Sequence, residues 1–405
     1  MTLHAELPAP TAAASTESVM DQVRAQVRPE GVPDRMLPAT AYTSDAVLAW
    51  ERRNLLAGTW ACLGRIDEVL AGGTGKPMTH RALMVGDVQV LLARDPGRSE
   101  DGGLRLFANT CRHRGHELLA TDESSSRATI LCPYHAWTFN LDGSLRAAPG
   151  FRDLDGFDPA EFGLIELPVR VWGGWVFAHA LHPLGSADVP DFETHLGALA
   201  GIIEPYAPER LVLAGRHTYE IAANWKVIAE NYHECYHCPL IHPELCQVSP
   251  PDSGDNYDLP GAWVGGAMIL RDGMATMSLT GELAATPIPG VDPTRIEYLH
   301  LLPNLLVSAH PDYVMTHRIV PLEPGRTWIE CSWLVLPPAD GSAPTAERAI
   351  EFWDITNRQD WGACESVQRG LSSPHFAPGP FAPNEDAVAQ FVTTISKAYH
   401  GRPIT

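Results

Sequence analysis

Positive charge is what this 405-residue chain has least of: 29 Lys and Arg stand against 49 Asp and Glu, a formal net charge of −20. A nucleic-acid partner needs a basic face to displace counterions, so that class is excluded. Neutral or cationic small molecules remain compatible. No apolar run approaches the roughly 20 residues that span a bilayer. The opening MTLHAELPAPTAAASTES carries an early acid, prolines and no basic or apolar region, so it does not read as a secretory signal. The expectation is a cytoplasmic protein with no membrane partner. There is no repeat at a solenoid period. There is also no Gly-rich dinucleotide fingerprint opening a βαβ unit, so nicotinamide electrons must arrive through another protein. The eight cysteines are not spaced like a small secreted scaffold. Cys111, Cys132, Cys235 and Cys238 each lie within three residues of a histidine, which favours metal binding over disulfides in a reducing compartment.

The length suits two domains. Residues 1–42 read as a leader. Thr43–Leu56 reads as a helix with Ser44 or Asp45 near its cap and Val47, Leu48, Leu55 and Leu56 facing inward. Arg81–Val85, Val88–Ala93, Leu104–Ala108, Gly143–Leu145 and Val169–His179 are short and aliphatic, separated by Gly, Asp and Pro, as in an antiparallel meander. They make 43–180 an all-β domain. Leu181–Asp191 is a Pro/Gly/Asp-rich boundary. In the second domain, 181–405, Phe192–Ala200 reads as helix, Leu211–Ile221 as strand and Asn224 as a helix start. Residues 250–262 read as a long loop. Trp263–Leu270, Thr276–Leu279, Ile296–Leu301, Leu305–Ala309, Val314–Pro321 and Thr327–Leu336 read as strands, and Thr345–Leu371 as a long helix. The class is α+β, an antiparallel sheet flanked by helices.

Cys111-Arg112-His113 is followed, eighteen residues later, by Cys132-Pro133-Tyr134-His135. Zinc would accept two thiolates and two imidazoles. A Rieske 2Fe–2S cluster fits the pairing better, since each loop would give one ligand to each iron. Gly115 and Pro133 shape the turns, and Trp137 and Phe139 offer hydrophobic cover. His116 reads as a packing or surface residue. Imidazole ligation raises the potential to about −150 to +300 mV, against about −400 mV for all-cysteine plant-type centres, which suits a one-electron donor.

Asn224–Leu245, NWKVIAENYHECYHCPLIHPEL, is the densest stretch of ligand-type side chains. His237 and His242 with a distant carboxylate would form a facial triad for non-haem iron. Alternatively, His233-Glu234-x-x-His237 matches a zinc-protease pattern with Glu234 as base. A redox centre upstream favours iron. His237 and His242 lie about 140° apart on a straight helix, so they converge only if the helix breaks, and Pro239 and Pro243 are expected to break it. Cys235 and Cys238 read as packing residues and His233 as a non-ligand. On the wheel of the last long helix, Trp353, Asn357, Asp360, Cys364 and Val367 share the inward face, with Asp354 and Glu365 at its edge. Asp360 is the candidate third ligand, because an unpaired carboxylate there is unfavourable.

FANTCRHRG, LCPYHAWTF and NWKVIAENYHECYHCPLIHPEL, in this order and separation, resemble the catalytic α subunit of Rieske non-haem iron oxygenases. The similarity runs from about Trp50 to the C-terminus, and NRQDW…ESVQRG resembles the family's third-ligand helix. The spacer between the cluster loops is slightly long, a polar insertion at Thr121–Arg127 that a surface loop absorbs. The resemblance implies an all-β Rieske domain followed by a helix-grip-like catalytic domain. It implies a 2Fe–2S cluster on Cys111, His113, Cys132 and His135, and mononuclear Fe(II) on His237, His242 and Asp360. It further implies a head-to-tail homotrimer in which Glu234 bridges His237 to His135 of the neighbouring subunit. Partners would be O2, a small substrate and a separate NAD(P)H reductase, with or without a ferredoxin. A small β subunit is left open.

EN..ECYHC…HPEL, with Glu as the bridging acid, looks most like the branch acting on glycine betaine, choline, carnitine and stachydrine. There hydroxylation beside nitrogen leads to N-demethylation or C–N cleavage. Tyr257, Trp263, Tyr298, Tyr313 and Trp333 are candidates for an aromatic box, each face worth roughly 0.5–2 kcal/mol to a cation. His310, Met315 and His317 are further pocket candidates. An aromatic ring-hydroxylating dioxygenase is the enzymatic alternative, and a non-catalytic electron-transfer or binding protein the other.

Overall fold

The computed structural model describes residues 15–30, 35–70, 78–152 and 154–404. After a set of N-terminal helices, the part from Ala61 to Ala178 is built on β-sheets. Ser124–Ser125, His80–Val85, Val88–Arg94, Leu104–Ala108 and Glu166–Leu167 form a five-stranded antiparallel sheet in that order. A small sheet of Ile130–Leu131, Thr138–Phe139 and Leu145–Ala147 carries the second cysteine loop. A third sheet pairs Trp175–Ala178 with both Ala61–Arg65 and Val169–Trp172, the last turn being made by Gly173 and Gly174, both at positive φ.

The catalytic part is a seven-stranded antiparallel sheet. Its order is Val212–Ile221, Arg326–Val335, Val314–Glu323, Leu305–Ala309, Arg295–Leu301, Trp263–Ile269 and Asp255–Asn256. Period-two alternation sorts its side chains. Tyr298 faces Ser308, which faces Met315, which faces Trp333. Two residues along each strand, His300, Leu306, His317 and Cys331 make the next aligned row on the same face. Met315, Cys331 and Trp333 sit in the core under the Glu347–Leu371 helix. Leu299, Leu301, Val307 and Trp263 fall on the opposite face, in a separate cluster with Trp60 and Phe177. That second cluster is where the N-terminal unit packs against the sheet, with the Asn304 side chain bonding to both Cys62 backbone groups.

Residues 1–14 and 31–34 of the expected leader lie outside the described residues, but its described remainder is structured. Thr16–Arg24 is helical, and its Met20 and Val23 are buried with Tyr42 in the catalytic core. The expected helix near residue 50 is α-helical over Asp45–Glu51 and continues as a wider, π-type turn over Arg52–Leu56. Val47, Leu48 and Leu55 also join the catalytic core. Phe192–Ala200 is not one helix. It breaks at Gly197, where φ is +50° and a Cβ would lie 2.1 Å from the Pro260 carbonyl oxygen. Thr276–Leu279 is a turn region rather than a strand, and Met277 and Thr276 are buried without sheet partners. On the long helix Val367 is 43% exposed, and Gln368 and Leu371 take the buried stripe at its end. No helix among the described residues is long and apolar enough to cross a membrane.

The core holds an unusual number of neutral histidines. Burial pushes His195 and His300 down to about 4. Between that value and the unfolded value near 6.5 the unfolded chain binds more protons than the native one, so stability is complete above pH 6.5 and falls as pH falls towards 4. Each of the two should cost roughly 1 kcal/mol at pH 5.5. The thermal midpoint is therefore expected to drop between pH 7.5 and 5.5, and to drop less in an H195N/H300N double variant. Equal slopes for the two proteins would refute this account.

Candidate redox and iron site

The two cysteine loops are the same turn made twice. The Cys111 N–H donates to the His116 carbonyl (2.8 Å) and its carbonyl accepts from the Gly115 N–H (3.0 Å). Likewise the Cys132 N–H donates to the Trp137 carbonyl (2.8 Å) and its carbonyl accepts from the Ala136 N–H (3.1 Å). Closing this turn needs a left-handed residue, supplied by Gly115 (φ +74°) and, less comfortably, by Ala136 (φ +59°). Cys111 and Cys132 are free, buried thiols. Burial pushes the Cys111 thiol up, and the adjoining Cys132 adds to the effect. His113 and His135 meet edge-on with ring centroids 4.6 Å apart. The Nδ1 atom of each is buried with no hydrogen-bond partner, an expensive condition unless something else binds there. Two thiols and two unpartnered imidazole nitrogens on twinned turns fit a cluster with two ligands on each iron. His113 lies flat on buried Trp137, at 5.0 Å and 7°. His135 lies against Tyr134, which is 52% exposed.

In the catalytic part, Asn224 caps the Trp225–Tyr232 helix by accepting from the Lys226 N–H (3.0 Å). The helix stops at His233, and Cys238–Ile241 and Pro243–Val248 follow as two short helical turns. The break that lets the ligands converge is at His242 itself (φ −120°, ψ 68°). Pro239 does not make it. Pro239 and Pro243 each sit in a first turn, where the missing N–H costs nothing. His237 Nε2 and His242 Nε2 are 3.1 Å apart. Asp360 Oδ1 lies 3.3 Å from the first and 2.8 Å from the second. These three residues could hold one metal ion, and two imidazoles with one carboxylate suit ferrous iron.

Glu234 turns back on its own loop. Its Oε1 accepts from His237 Nδ1, and its Oε2 accepts from the backbone N–H groups of His237 (3.1 Å) and Tyr236. A carboxylate only accepts, so Nδ1 carries a proton, and Nε2 is the nitrogen that faces the site. Burial opposes charge on His237, but bonding to Asp360 and Glu234 outweighs it and pushes the imidazole up to about 9. Burial likewise works against Asp360, yet the two imidazoles hold its carboxyl below the ordinary range. Such a donor set releases protons on taking a divalent cation.

The zinc-protease grouping does not assemble. His233 Nε2 faces His300 Nδ1 at 3.2 Å in the core, and Glu234 serves His237 instead. Asp354 is taken by Tyr219 and Arg358, and Glu365 by the Ala222 N–H. Cys235 and Cys238, expected to be packing thiols, form a disulfide in the structure. Two residues between them leave the Cα atoms 4.9 Å apart, within bridging range.

A cavity of about 410 Å³ opens beside the three donors. Tyr298, Met315 and His317 line it. His310 and Tyr313 do not. They stack on each other at 4.2 Å, and Tyr313 bonds to Trp353 Nε1, in the layer behind the wall. Tyr257 and Trp263 are on the far face of the sheet, Tyr257 donating to Glu297 (2.9 Å), because odd and even positions of a strand point oppositely. Trp333 is buried against His217 rather than in the wall. Unanticipated wall residues are Tyr232, Trp353 and Trp361. Trp353 was on the wheel's inward face and was the signal available. Trp361 directly follows Asp360, and Tyr232 ends the Trp225–Tyr232 helix with no sequence signal of its own.

Residues 59–158 match the Rieske 2Fe-2S domain family, and residues 208–401 match the ring hydroxylating alpha subunit (catalytic domain). The chain belongs to the oxygenase α subunits of Rieske non-haem iron oxygenases, oxidoreductases that combine a 2Fe–2S domain with a non-haem iron domain. Among relatives, the glycine betaine monooxygenase oxygenase subunit of Pseudomonas aeruginosa is 29% identical over 379 residues, covering 85% of this chain and 84% of the relative. The carnitine monooxygenase oxygenase subunit of Acinetobacter baumannii is 35% identical over 208 residues, covering 51% and 52%. The crystal structure of the quaternary ammonium Rieske monooxygenase CntA with L-carnitine superposes with a TM-score of 0.68 at 25% identity, covering 92% of this chain and 97% of that one. Naphthalene 1,2-dioxygenase from Rhodococcus sp. shares the fold, with a TM-score of 0.69 at 18% identity over 95% and 98%.

Proposed function

We propose that this oxygenase acts on a small quaternary ammonium compound of the betaine, choline or carnitine type, hydroxylating carbon next to nitrogen so that demethylation or C–N cleavage follows. The character of the cavity wall carries the reading. Glu234, Asp252, Asp360 and Asp386 line it, Tyr298, Trp353 and Trp361 add aromatic faces, and no Lys or Arg is among its described lining residues. Cations gain from both features. A benzoate would find no Lys or Arg in the described wall to hold its carboxylate, and a neutral arene would leave the rim carboxylates without a role. The named relatives act on compounds of the same kind.

In this reading His237, His242 and Asp360 hold the iron, and Cys111, Cys132, His113 and His135 hold the cluster. Bound there, iron would supply O2 activation and the cluster one-electron delivery. Glu234 orients His237 and, in a head-to-tail trimer, also reaches His135 of the partner subunit. Two bare apolar surfaces support such an assembly. Tyr236 and Leu240 are 63% and 92% exposed beside the iron donors, and Leu131 and Tyr134 are 37% and 52% exposed beside the cluster loops. A separate NAD(P)H reductase, with or without a ferredoxin, supplies the electrons, and the protein works in the cytoplasm. The cluster-bearing domain runs to 180 and the catalytic domain spans 181–405, while the helices Thr16–Arg24 and Asp45–Glu51 pack on the catalytic core although they precede the cluster-bearing sheets.

Oxygen uptake with a compatible reductase, compared across choline, glycine betaine, carnitine, stachydrine and a set of benzoates and arenes, is the test. Stimulation by ammonium compounds, with formaldehyde or an aldehyde appearing in step, is the expected result. Turnover of the arenes alone would establish the ring-hydroxylating alternative.

A further inference from the structure

We propose that Gln359, held in place by Glu244, is the positioning residue that fixes which nitrogen of His242 faces the iron. The inference rests on His237, His242 and Asp360 being the iron ligands.

His242 is only 1% exposed, so nothing but its neighbours decides its tautomer. Gln359 Oε1 lies 2.7 Å from its Nδ1, and Asp360 Oδ1 lies 2.8 Å from its Nε2. Consecutive residues of the Glu347–Leu371 helix thus grip opposite edges of one ring. An amide by itself could present either its oxygen or its nitrogen. Glu244 removes the choice. The Gln359 Nε2 group donates to Glu244 Oε2 at 3.2 Å, and a carboxylate can only accept. The amide oxygen must therefore face His242, Nδ1 must be the N–H donor, and Nε2 is left with a lone pair for metal.

Glu244 comes two residues after His242, from the first turn of the Pro243–Val248 helix. The clamp therefore joins the two chain segments that supply ligands. The two histidines are steadied by unlike groups. His237 gives its Nδ1–H to a carboxylate, Glu234, and His242 gives its own to a neutral amide. Hydrogen bonding to a carboxylate makes an imidazole more basic than bonding to an amide. His242 is accordingly the weaker donor of the pair, and its affinity for metal depends on orientation more than on charge.

The test is ferrous iron affinity of the full-length protein, measured by competition with a chelator after the mononuclear iron has been removed. Q359L fills the same space without an acceptor and is expected to bind iron about 10–100-fold more weakly, with the visible absorption of the cluster unchanged. Exchanging the roles in Q359E/E244Q keeps an acceptor facing His242 and an amide donor behind it, so affinity should return to within about threefold of the parent. Parental affinity in Q359L, or a double variant no better than Q359L, overturns the proposal. If Q359L does not fold, E244A takes its place: the amide is then free to turn, and unchanged affinity would count against the clamp. D360A separates the two levels of the argument. Retention of mononuclear iron there would mean that the ligand set is wrong, whereas its loss beside parental affinity in Q359L would remove only the clamp.

Discussion

Replacing Asp360 with alanine should abolish turnover, by on the order of 10³-fold or more, since a bound metal contributes several kcal/mol at the reacting centre and each 1.4 kcal/mol is a factor of ten. The protein should stay coloured, because the cysteine loops are closed by their own backbone hydrogen bonds and stand apart from the sheet that this helix covers. Metal analysis should show the mononuclear iron gone and the cluster iron kept. Two imidazoles alone remain at the site, and the 2.8 Å and 3.3 Å approaches of Oδ1 show the carboxylate to be central to the donor set. Full iron content in D360A would move the third ligand elsewhere. The complementary variant, H135A, should lose the cluster's spectrum and retain the catalytic donors. Trimers assembled from both chains should recover a fraction of the activity, since an intact cluster loop of one chain then meets intact iron donors of the next. Hybrids as inactive as the parents would confine electron flow to one protomer.

Glu234→Gln should be nearly as damaging and by a different route. Both metal centres are expected to load, but the chemically reduced cluster should be reoxidised by O2 and substrate about 10²-fold more slowly in stopped-flow measurements. The amide has one acceptor atom where the carboxylate has two, and in the structure both carboxylate oxygens are in use, Oε1 on His237 Nδ1 and Oε2 on two backbone N–H groups. On the proposed reading the same group also meets the partner subunit, and it then cannot give up either oxygen. Cluster reoxidation at the parental rate in E234Q would leave Glu234 an ordinary loop acid.

The candidate redox site could be read from the sequence because its proposed donors are local. Cys111 and His113, or His237 and His242, lie within a few residues of one another, and their chemical type and spacing already state a geometry. Asp360 comes from 118 residues beyond His242, yet it was legible because a carboxylate on the inward stripe of a helix is conspicuous. The pocket was not legible. Whether Tyr257, Trp263 or Tyr298 faces the iron depends on strand parity and on which of the sheet's two faces the long helix covers, and both faces are apolar here. Composition marks all three aromatics as buried and cannot say on which side. The same limit explains Pro239. A proline signals an interruption, but the turn it begins and the turn it ends read alike until the break at His242 is seen. Gly197 is a third case, where one backbone carbonyl pressing on the chain divides a run of good helix formers.

The unequal surroundings of the two cluster imidazoles have a directional consequence. Both rings are partly exposed, but one lies flat on a buried indole and the other rests on a phenol that water can reach. A charge placed on a cluster held there would therefore have a drier flank and a wetter one. A neighbouring copy that covered the wetter flank on assembly would insulate the stored electron as well as direct it.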